Sequence, residues 1–480
     1  MTFHGHKPNA GLSPVLSPEI ARFLAEENTL LMEWIDRHGS PLNLIWPGQL
    51  AKNLAAMEAV FAQCRVAHAV YYGAKVNKSP GLMATALKAG AGIDVSSLYE
   101  LQDALHLGAD GGKLVATGPA KSRAFHEALI DCQALISVDS PEELDDLIAR
   151  LPDRTSAQPV LMRLQPAGHE KSRFGMPAPR LRACFARIAA EKRLRFDGLH
   201  FHISGYAWEE RAEALREAAP LIAEARAMGF APRMIDIGGG LPAQYVDPHA
   251  YRAHLQAQRP DDYRTGRVPS AFYPYGGALS AADWLRHLLD APMGDGHSVA
   301  DYLKREALTL GLEPGRALAD QTALTLFRIL RVKALTARDH VIFVEGSSFS
   351  ACETWFSSEF LVDPVLLPTG RSARLLRPVR AYIAGHSCLD EDVLCNRWLT
   401  FPVAPRAGDI LVCANTGGYQ MDLLENEFHR HPMPGRLRVV QDSNGQPALV
   451  PDSLTRGAHA LQHHWPVDRL HAGHDDPCAE

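Results

Sequence analysis

From Leu42 to about Leu312, short, largely apolar runs alternate with stretches of helical spacing. The runs are Leu42–Trp46, Ala67–Tyr71, Gly92–Val95, Leu114–Thr117, Leu135–Val138, Val160–Leu164, Gly198–Ile203 and Met234–Ile237. Near-continuous apolar runs of this length predict strands covered on both faces. Between them, Gln49–Cys64, Pro80–Ala89 and Ser140–Ala149 repeat their apolar positions at helical spacing. Strands and helices in strict alternation predict a parallel (β/α)8 barrel, although a doubly wound sheet would alternate similarly. Beyond Pro314 the helical spacing fades. Ala323–Leu335, Val341–Glu345, Ser372–Ala384, Asp409–Ala414, Leu437–Gln441 and Ala448–Val450 read as strands parted by Gly, Pro and Asn, which predicts an antiparallel β domain. Ahead of the first run, Ser17-Pro18-Glu19 opens a helical stretch that ends near Gly39.

The expected organisation is a helical segment over residues 1–40 packing on the β domain, a barrel over 41–315, a carboxy-terminal β domain over 316–455 and a tail over 456–480. An insertion rich in Tyr, Pro and Gly is expected around 245–297, at the barrel end where a lid would sit. The tail carries His459, His463, His464, His471 and His474, which reads as a loose terminus in preference to a metal site.

Composition narrows the function. At 480 residues the chain is too long for one small core. With 46% hydrophobic and 22% charged residues it has the balance of a folded protein. A net charge of −6 without a Lys/Arg run argues against nucleic acid as partner. No apolar stretch reaches the ~20 residues of a membrane span, and Met1–His6 lacks the features of a signal peptide. The eight cysteines are scattered without a Cys-x-x-Cys pair, as expected of reduced thiols in a cytoplasmic protein.

The most informative segment is Tyr72-Gly73-Ala74-Lys75-Val76-Asn77-Lys78. It places Lys75 at the carboxyl end of a strand, where α/β proteins carry their chemistry. A partly desolvated amine there loses its proton easily and is suited to form an imine; a lysine with its head in water is the ordinary alternative. Leu199-His200-Phe201-His202-Ile203-Ser204-Gly205 puts two histidines on one side of a strand, with no third metal ligand at a matching spacing, so no metal site is expected. Asp236-Ile237-Gly238-Gly239-Gly240 ends a strand with bare amides able to approach an anion. Glu313-Pro314-Gly315-Arg316 pairs a carboxylate for a protonated nitrogen with a guanidinium for a phosphate. Gly385–Asp392 and Thr416-Gly417-Gly418-Tyr419 follow in the β domain.

In this order the motifs resemble the fold type III pyridoxal-phosphate decarboxylases, which act on diaminopimelate, ornithine and arginine among others. The resemblance spans roughly residues 40 to 435 and implies a homodimer with active sites shared between subunits. It implies pyridoxal 5'-phosphate as cofactor, with Lys75 as the Schiff-base lysine and Asp94 and Glu100 as cofactor-region acids. His202 matches the imidazole stacked on the pyridine ring, and Glu313 the carboxylate at the pyridine nitrogen. Ser204, Gly238, Gly239, Gly240, Gly315, Arg316 and Tyr419 match the phosphate cradle. Cys388 matches the cysteine from the other subunit that protonates Cα after decarboxylation through an external aldimine and a quinonoid. Alanine-racemase relatives place an arginine at the pyridine nitrogen, so Glu313 points to the stronger electron sink that decarboxylation needs.

The chain departs from the family where substrates are told apart. Leu389 follows Cys388 where relatives often carry an acid. Val344–Trp355 lacks the arginine that diaminopimelate enzymes use for the distal carboxylate. Ser204-Gly205 inverts the usual order, and Phe428-His429 replaces Phe-Asn. Leu389, Asp392, Glu353 and Glu359 are the candidate substrate contacts, with a cationic or polyamine-like substrate expected from the two glutamates. An amino-acid racemase or epimerase, and a non-catalytic binding relative, are the competing readings.

Overall fold

The structure is a computed structural model that describes residues 11–153, 156–294, 296–351, 358–369, 377–424 and 428–454. Its strands are β1 (Leu42–Ile45), β2 (His68–Gly73), β3 (Gly92–Val95), β4 (Leu114–Ala116), β5 (Leu135–Val138), β6 (Gln158–Arg163), β7 (Leu194–His200), β8 (Met234–Asp236), β9 (Ala271–Phe272) and β10 (Thr309–Leu312). There follow β11 (Ala323–Ala334), β12 (Asp339–Val344), β13 (Ser358–Glu359), β14 (Val365–Leu367), β15 (Val379–Ala384), β16 (Val393–Phe401), β17 (Ile410–Ala414), β18 (Gly435–Gln441) and β19 (Pro447–Pro451). Strands β2 to β8, closed by β10, form a parallel barrel. A second, mixed sheet runs β16-β15-β12-β11-β1-β18-β19, with β17 also beside β11 and β14 beside β17. The fold class is therefore a parallel (β/α)8 barrel with a carboxy-terminal β domain.

The first predicted barrel strand belongs elsewhere. Leu42–Ile45 pairs antiparallel with β11 and parallel with β18, inside the second sheet. All four of its residues are buried, as in a barrel strand, so the apolar pattern does not distinguish the two sheets. The strand that completes the barrel is instead Thr309-Leu310-Gly311-Leu312, too short to stand out by apolar content. The amino-terminal helices Pro18–Glu26 and Asn28–His38 lay Phe23, Leu31 and Trp34 on Leu44, Leu326 and Val412 of that sheet. Each such buried side chain contributes about 1.5–3 kcal/mol. Serines end several of the loops at the barrel's carboxyl end. Ser79, Ser97, Ser122 and Ser140 each accept the amide three residues on, which fixes where the helix starts and how the loop before it runs.

The expected insertion is shorter than its composition indicated. Helix Ala281–Asp290 buries Trp284, Leu285, Leu288 and Leu289 in the barrel core, so it is a member of the barrel's outer ring. Residues 245–280 are tied to the β domain, with β9 beside β13 and the Arg264 amide donating to the Asn396 carbonyl at 2.9 Å. The histidines of the tail and the 456–480 boundary lie outside the described residues. Among the described residues no helix is long and apolar enough to cross a membrane.

Asp320, whose Oδ2 accepts the Gln244 amide at 3.1 Å where this insertion meets the β domain, has a titration consequence. Burial pushes its carboxyl up from 3.8 to about 6. The folded state then holds its proton more tightly than the unfolded chain. The resulting stability is full below pH 3.8 and is lost as pH rises through about 6. Asp320→Asn keeps an acceptor for Gln244 and removes the charge. Urea melts should show it more stable by on the order of 2 kcal/mol at pH 7, and flatter with pH between the two values.

Candidate active site

Strand β2 ends at Gly73, and the tight turn Ala74–Val76 presents Lys75 over the carboxyl end of the barrel. Its Nζ lies 2.7 Å from Asp94 Oδ2 on β3, while Thr117 Oγ1 donates to Asp94 Oδ1 at 2.7 Å. Burial opposes the Lys75 charge, but Asp94 first, then Glu313 and Tyr419, outweigh it and raise the pKa above the ordinary lysine value. The easily lost proton expected from burial alone is thus corrected: beside a buried carboxylate, Lys75 is held as an ammonium. Glu100 does not reach Lys75. It pairs through Oε1 with Lys78 Nζ at 2.8 Å and accepts the Ser96 amide on Oε2 at 2.7 Å.

On the other side of β2, the ends of β10, which neighbours β2, and of β7 bring two histidines to one carboxylate. Glu313 is 2% exposed, with Oε1 3.3 Å from His200 Nε2 and Oε2 3.3 Å from His202 Nδ1. Ser137 Oγ lies 2.6 Å from His200 Nδ1, and burial, then Arg163, depress the His200 pKa, so this imidazole is neutral. His202 Nδ1 is also 3.3 Å from the Gly239 amide nitrogen. Without a proton on Nδ1, His202 accepts from that amide; with one there, it donates to Glu313. The third metal-type ligand that the sequence spacing lacked therefore exists in space: His200, His202 and Glu313 place ligand atoms within 4.8 Å of one another. Deeper, burial and then the charge of Glu313 push the Asp236 carboxyl well above its usual range, so Asp236 is a neutral acid.

The glycine turn follows β8. Gly238 and Gly240 have φ of 67° and 84°, and a Cβ on Gly239 would lie 2.7 Å from the Glu313 carbonyl oxygen. Gly315 admits no side chain either, since a Cβ would sit 2.5 Å from Val76 Cγ2 and 3.1 Å from the Tyr419 hydroxyl. Arg316 lies 4.3 Å from the Tyr273 ring and 4.8 Å from the Tyr419 ring, and Nη1 donates to the Gly418 carbonyl at 3.2 Å. The Tyr419 amide donates to Val76 O at 2.7 Å, docking this tyrosine on the turn that carries Lys75. Burial raises its pKa, so it stays a phenol. A glycine turn with no room for side chains, a guanidinium among tyrosines, and a buried Glu313 Oε1 with no hydrogen-bond partner among the described residues together fit a phosphorylated pyridine.

The candidate substrate contacts fare differently. Cys388 and Leu389 are exposed on the loop between β15 and β16. Asp392 is buried, with Oδ1 accepting the Ser348 amide at 2.6 Å and Oδ2 the Ser387 amide at 2.9 Å, so it braces two loops instead of facing a ligand. Glu359 is 1% exposed and accepts Asn396 N at 2.7 Å and Nδ2 at 3.2 Å. Both of its oxygens are spent inside the β domain, which removes it as a substrate carboxylate. Glu353 lies outside the described residues. The departures noted in the sequence converge instead: Ser347, Phe349, Leu389, Phe428 and His429 line one cleft, joined by His386. The His386 and His431 rings stack there at 3.6 Å. The sequence reading missed Lys78, Thr117, Ser137 and Tyr273; Lys78 and Thr117 each directly follow or end a segment it had singled out.

Residues 48–259 match the family described as pyridoxal-dependent decarboxylase, pyridoxal binding domain. The chain is 66% identical over 454 residues to the uncharacterized protein y4yA of Sinorhizobium fredii, covering 95% of this chain and 99% of that protein. It is 24% identical to diaminopimelate decarboxylase of Pseudomonas aeruginosa, over 84% of this chain and 88% of the relative. Among solved structures, a mutant diaminopimelate decarboxylase from Helicobacter pylori complexed with L-lysine superposes with a TM-score of 0.69 at 16% identity, over 88% of this chain and 95% of the other.

Proposed function

We propose, since this chain belongs to the fold type III pyridoxal-phosphate-dependent decarboxylases, that it removes the α-carboxylate of an amino acid. Its cofactor is pyridoxal 5'-phosphate, which supplies an electron sink for the charge left on Cα. One observation carries the proposal: Lys75 on its Asp94 counter-ion shares the barrel mouth with Glu313, buried between two histidines. In this reading Lys75 attaches the cofactor and Asp94 keeps the free lysine oriented. Glu313 holds a proton on the ring nitrogen, because a buried carboxylate favours a cation beside it. The glycine turn, Arg316 and Tyr419 hold the phosphate, and a thiol is suited to return a proton to Cα.

Cys388 is exposed on the β domain, which suits a donor offered to a second copy of the chain. With Glu359 and Asp392 internally bonded, the cleft lined by Ser387 and Leu389, which flank Cys388, offers Phe349, Phe428 and imidazoles. That lining supports a substrate whose far end is apolar or bears acceptors, and it replaces the cationic expectation.

The test is a CO2-release screen over basic, acidic and apolar amino acids, with a parallel assay for loss of chirality. Release of CO2 is expected; racemisation without it would refute the proposal, and preference for lysine or ornithine would refute the substrate reading. Mixing Lys75→Ala with Cys388→Ala protein tests the shared site. Random pairing leaves one intact site in half of the dimers, so about a quarter of wild-type activity should return. No recovery would place both residues in one subunit.

A further inference from the structure

Arg211 is fully buried, and no carboxylate makes a close pair with it. It stands in the first turn of helix Trp208–Ala227, directly beneath the glycine turn. The nearest acid, Glu210, is half-exposed and 3.9 Å away. Instead the guanidinium is wrapped in main-chain carbonyls. Nη2 donates to Ile203 O at 2.5 Å, Gly205 O at 2.8 Å and Gly239 O at 3.4 Å, and Nη1 donates to Ala207 O at 3.1 Å. A Cβ on Gly240 would come within 2.0 Å of Nη2, so the arginine sits one layer below that turn.

Two consequences follow from elementary physics. A buried cation at the amino end of a helix, where the dipole is already positive, costs free energy unless an anion lies near. Burial accordingly lowers the Arg211 pKa from 12.5 to about 10, with only Glu210 and Tyr206 opposing. The second consequence is geometric. In a trans peptide the C=O and the following N–H point opposite ways. Carbonyls of Ile203, Gly205 and Gly239 turned toward Arg211 therefore turn the amides of Ser204, Tyr206 and Gly240 away from it. None of these three amides donates a hydrogen bond among the described residues. Together they are three unspent donors with a positive charge behind them, the kind of group that binds an anion.

We propose that Arg211 is a positioning residue for the cofactor phosphate: it aims the amides of Ser204, Tyr206 and Gly240 at the phosphate and supplies its buried counter-charge through the turn. The proposal rests on the pyridoxal-phosphate reading above and adds a second arginine, behind the cradle, to Arg316 within it. It also gives a reason for the order Ser204-Gly205: Gly205 adopts φ of 82°, and its carbonyl is one of those that Arg211 gathers.

The experiment compares dissociation constants of pyridoxal 5'-phosphate and of pyridoxal for the full-length apoprotein, in wild type, Arg211→Met and Arg211→Lys. Arg211→Met should weaken pyridoxal-phosphate binding about ten-fold or more and leave pyridoxal within about two-fold. Inorganic phosphate should raise the melting temperature of wild-type apoprotein and not that of the variant. Arg211→Lys, which keeps the charge but cannot reach four carbonyls, should fall between; if the Met variant does not fold, the same ratio is read from the Lys variant. Equal weakening of both ligands would mean a merely structural role, and unchanged binding would mean none; either overturns the proposal. Wild-type protein that binds neither ligand would overturn the cofactor reading itself.

Discussion

Lys75→Ala is expected to lose decarboxylation by several orders of magnitude and to bind pyridoxal phosphate without a covalent bond. Covalent attachment and any proton transfer at that position both pass through this amine. No neighbour can replace it: Lys78, three residues on, is committed to Glu100 and to the Ala74 carbonyl. The measurement is borohydride reduction followed by mass spectrometry of the intact chain. Wild type should gain the mass of the reduced cofactor, and the variant should not. Asp94, which is buried, would be left without its cation in the variant, so some loss of stability is expected as well. A variant retaining even a hundredth of wild-type turnover would show that the chemistry runs elsewhere.

Glu313→Gln is expected to keep the cofactor bound and to slow turnover about 10²–10³-fold, the scale for removing one preorganised electrostatic contact. Glutamine matches the shape and keeps an acceptor for the histidines, but it cannot stabilise a proton on a ring nitrogen. The loss should appear in kcat with KM little changed, since the substrate is not touched. Lys75 reports the change independently. Glu313 stands second only to Asp94 among the charges that raise its pKa, so titration of the apoprotein should show the Lys75 ammonium lost at lower pH in the variant. Equal turnover in variant and wild type would mean that Glu313 serves only the two imidazoles.

Much of this was legible in the chain, for identifiable reasons. Lys75 stood out because a strand-length apolar run ends just before it, and the motifs further along the chain weighed against a lysine merely solvated at a strand end. The glycine turn and Glu313-Pro314-Gly315-Arg316 were visible because backbone constraints are written in Gly and Pro. The alternation of strand and helix was enough to mark a parallel α/β fold, since a buried parallel strand has no polar face to mislead, but not to separate a barrel from a doubly wound sheet.

The pattern failed where two environments impose the same demand. Leu42–Ile45 is buried on both sides in the second sheet as it would be in the barrel, and only its pairing with β11 and β18 settles the matter. The composition of residues 245–297 concealed that Trp284 and Leu288 belong to the barrel ring. Charge was misjudged for a related reason. Glu359 is written like any free carboxylate, yet Asn396 saturates it 37 positions away in sequence. Lys75 lies 19 positions from Asp94, and only the barrel makes them a pair. Arg211 does not stand out in the sequence, because only the turns around Ile203 and Gly239 close over it. Local backbone preference and apolar period act over a few residues, so the chain already shows which chemical groups are present and at which strand ends they stand. The tertiary structure alone decided which groups are charged, which are spent on one another and which remain for a ligand, because burial and pairing join residues that lie far apart along the chain.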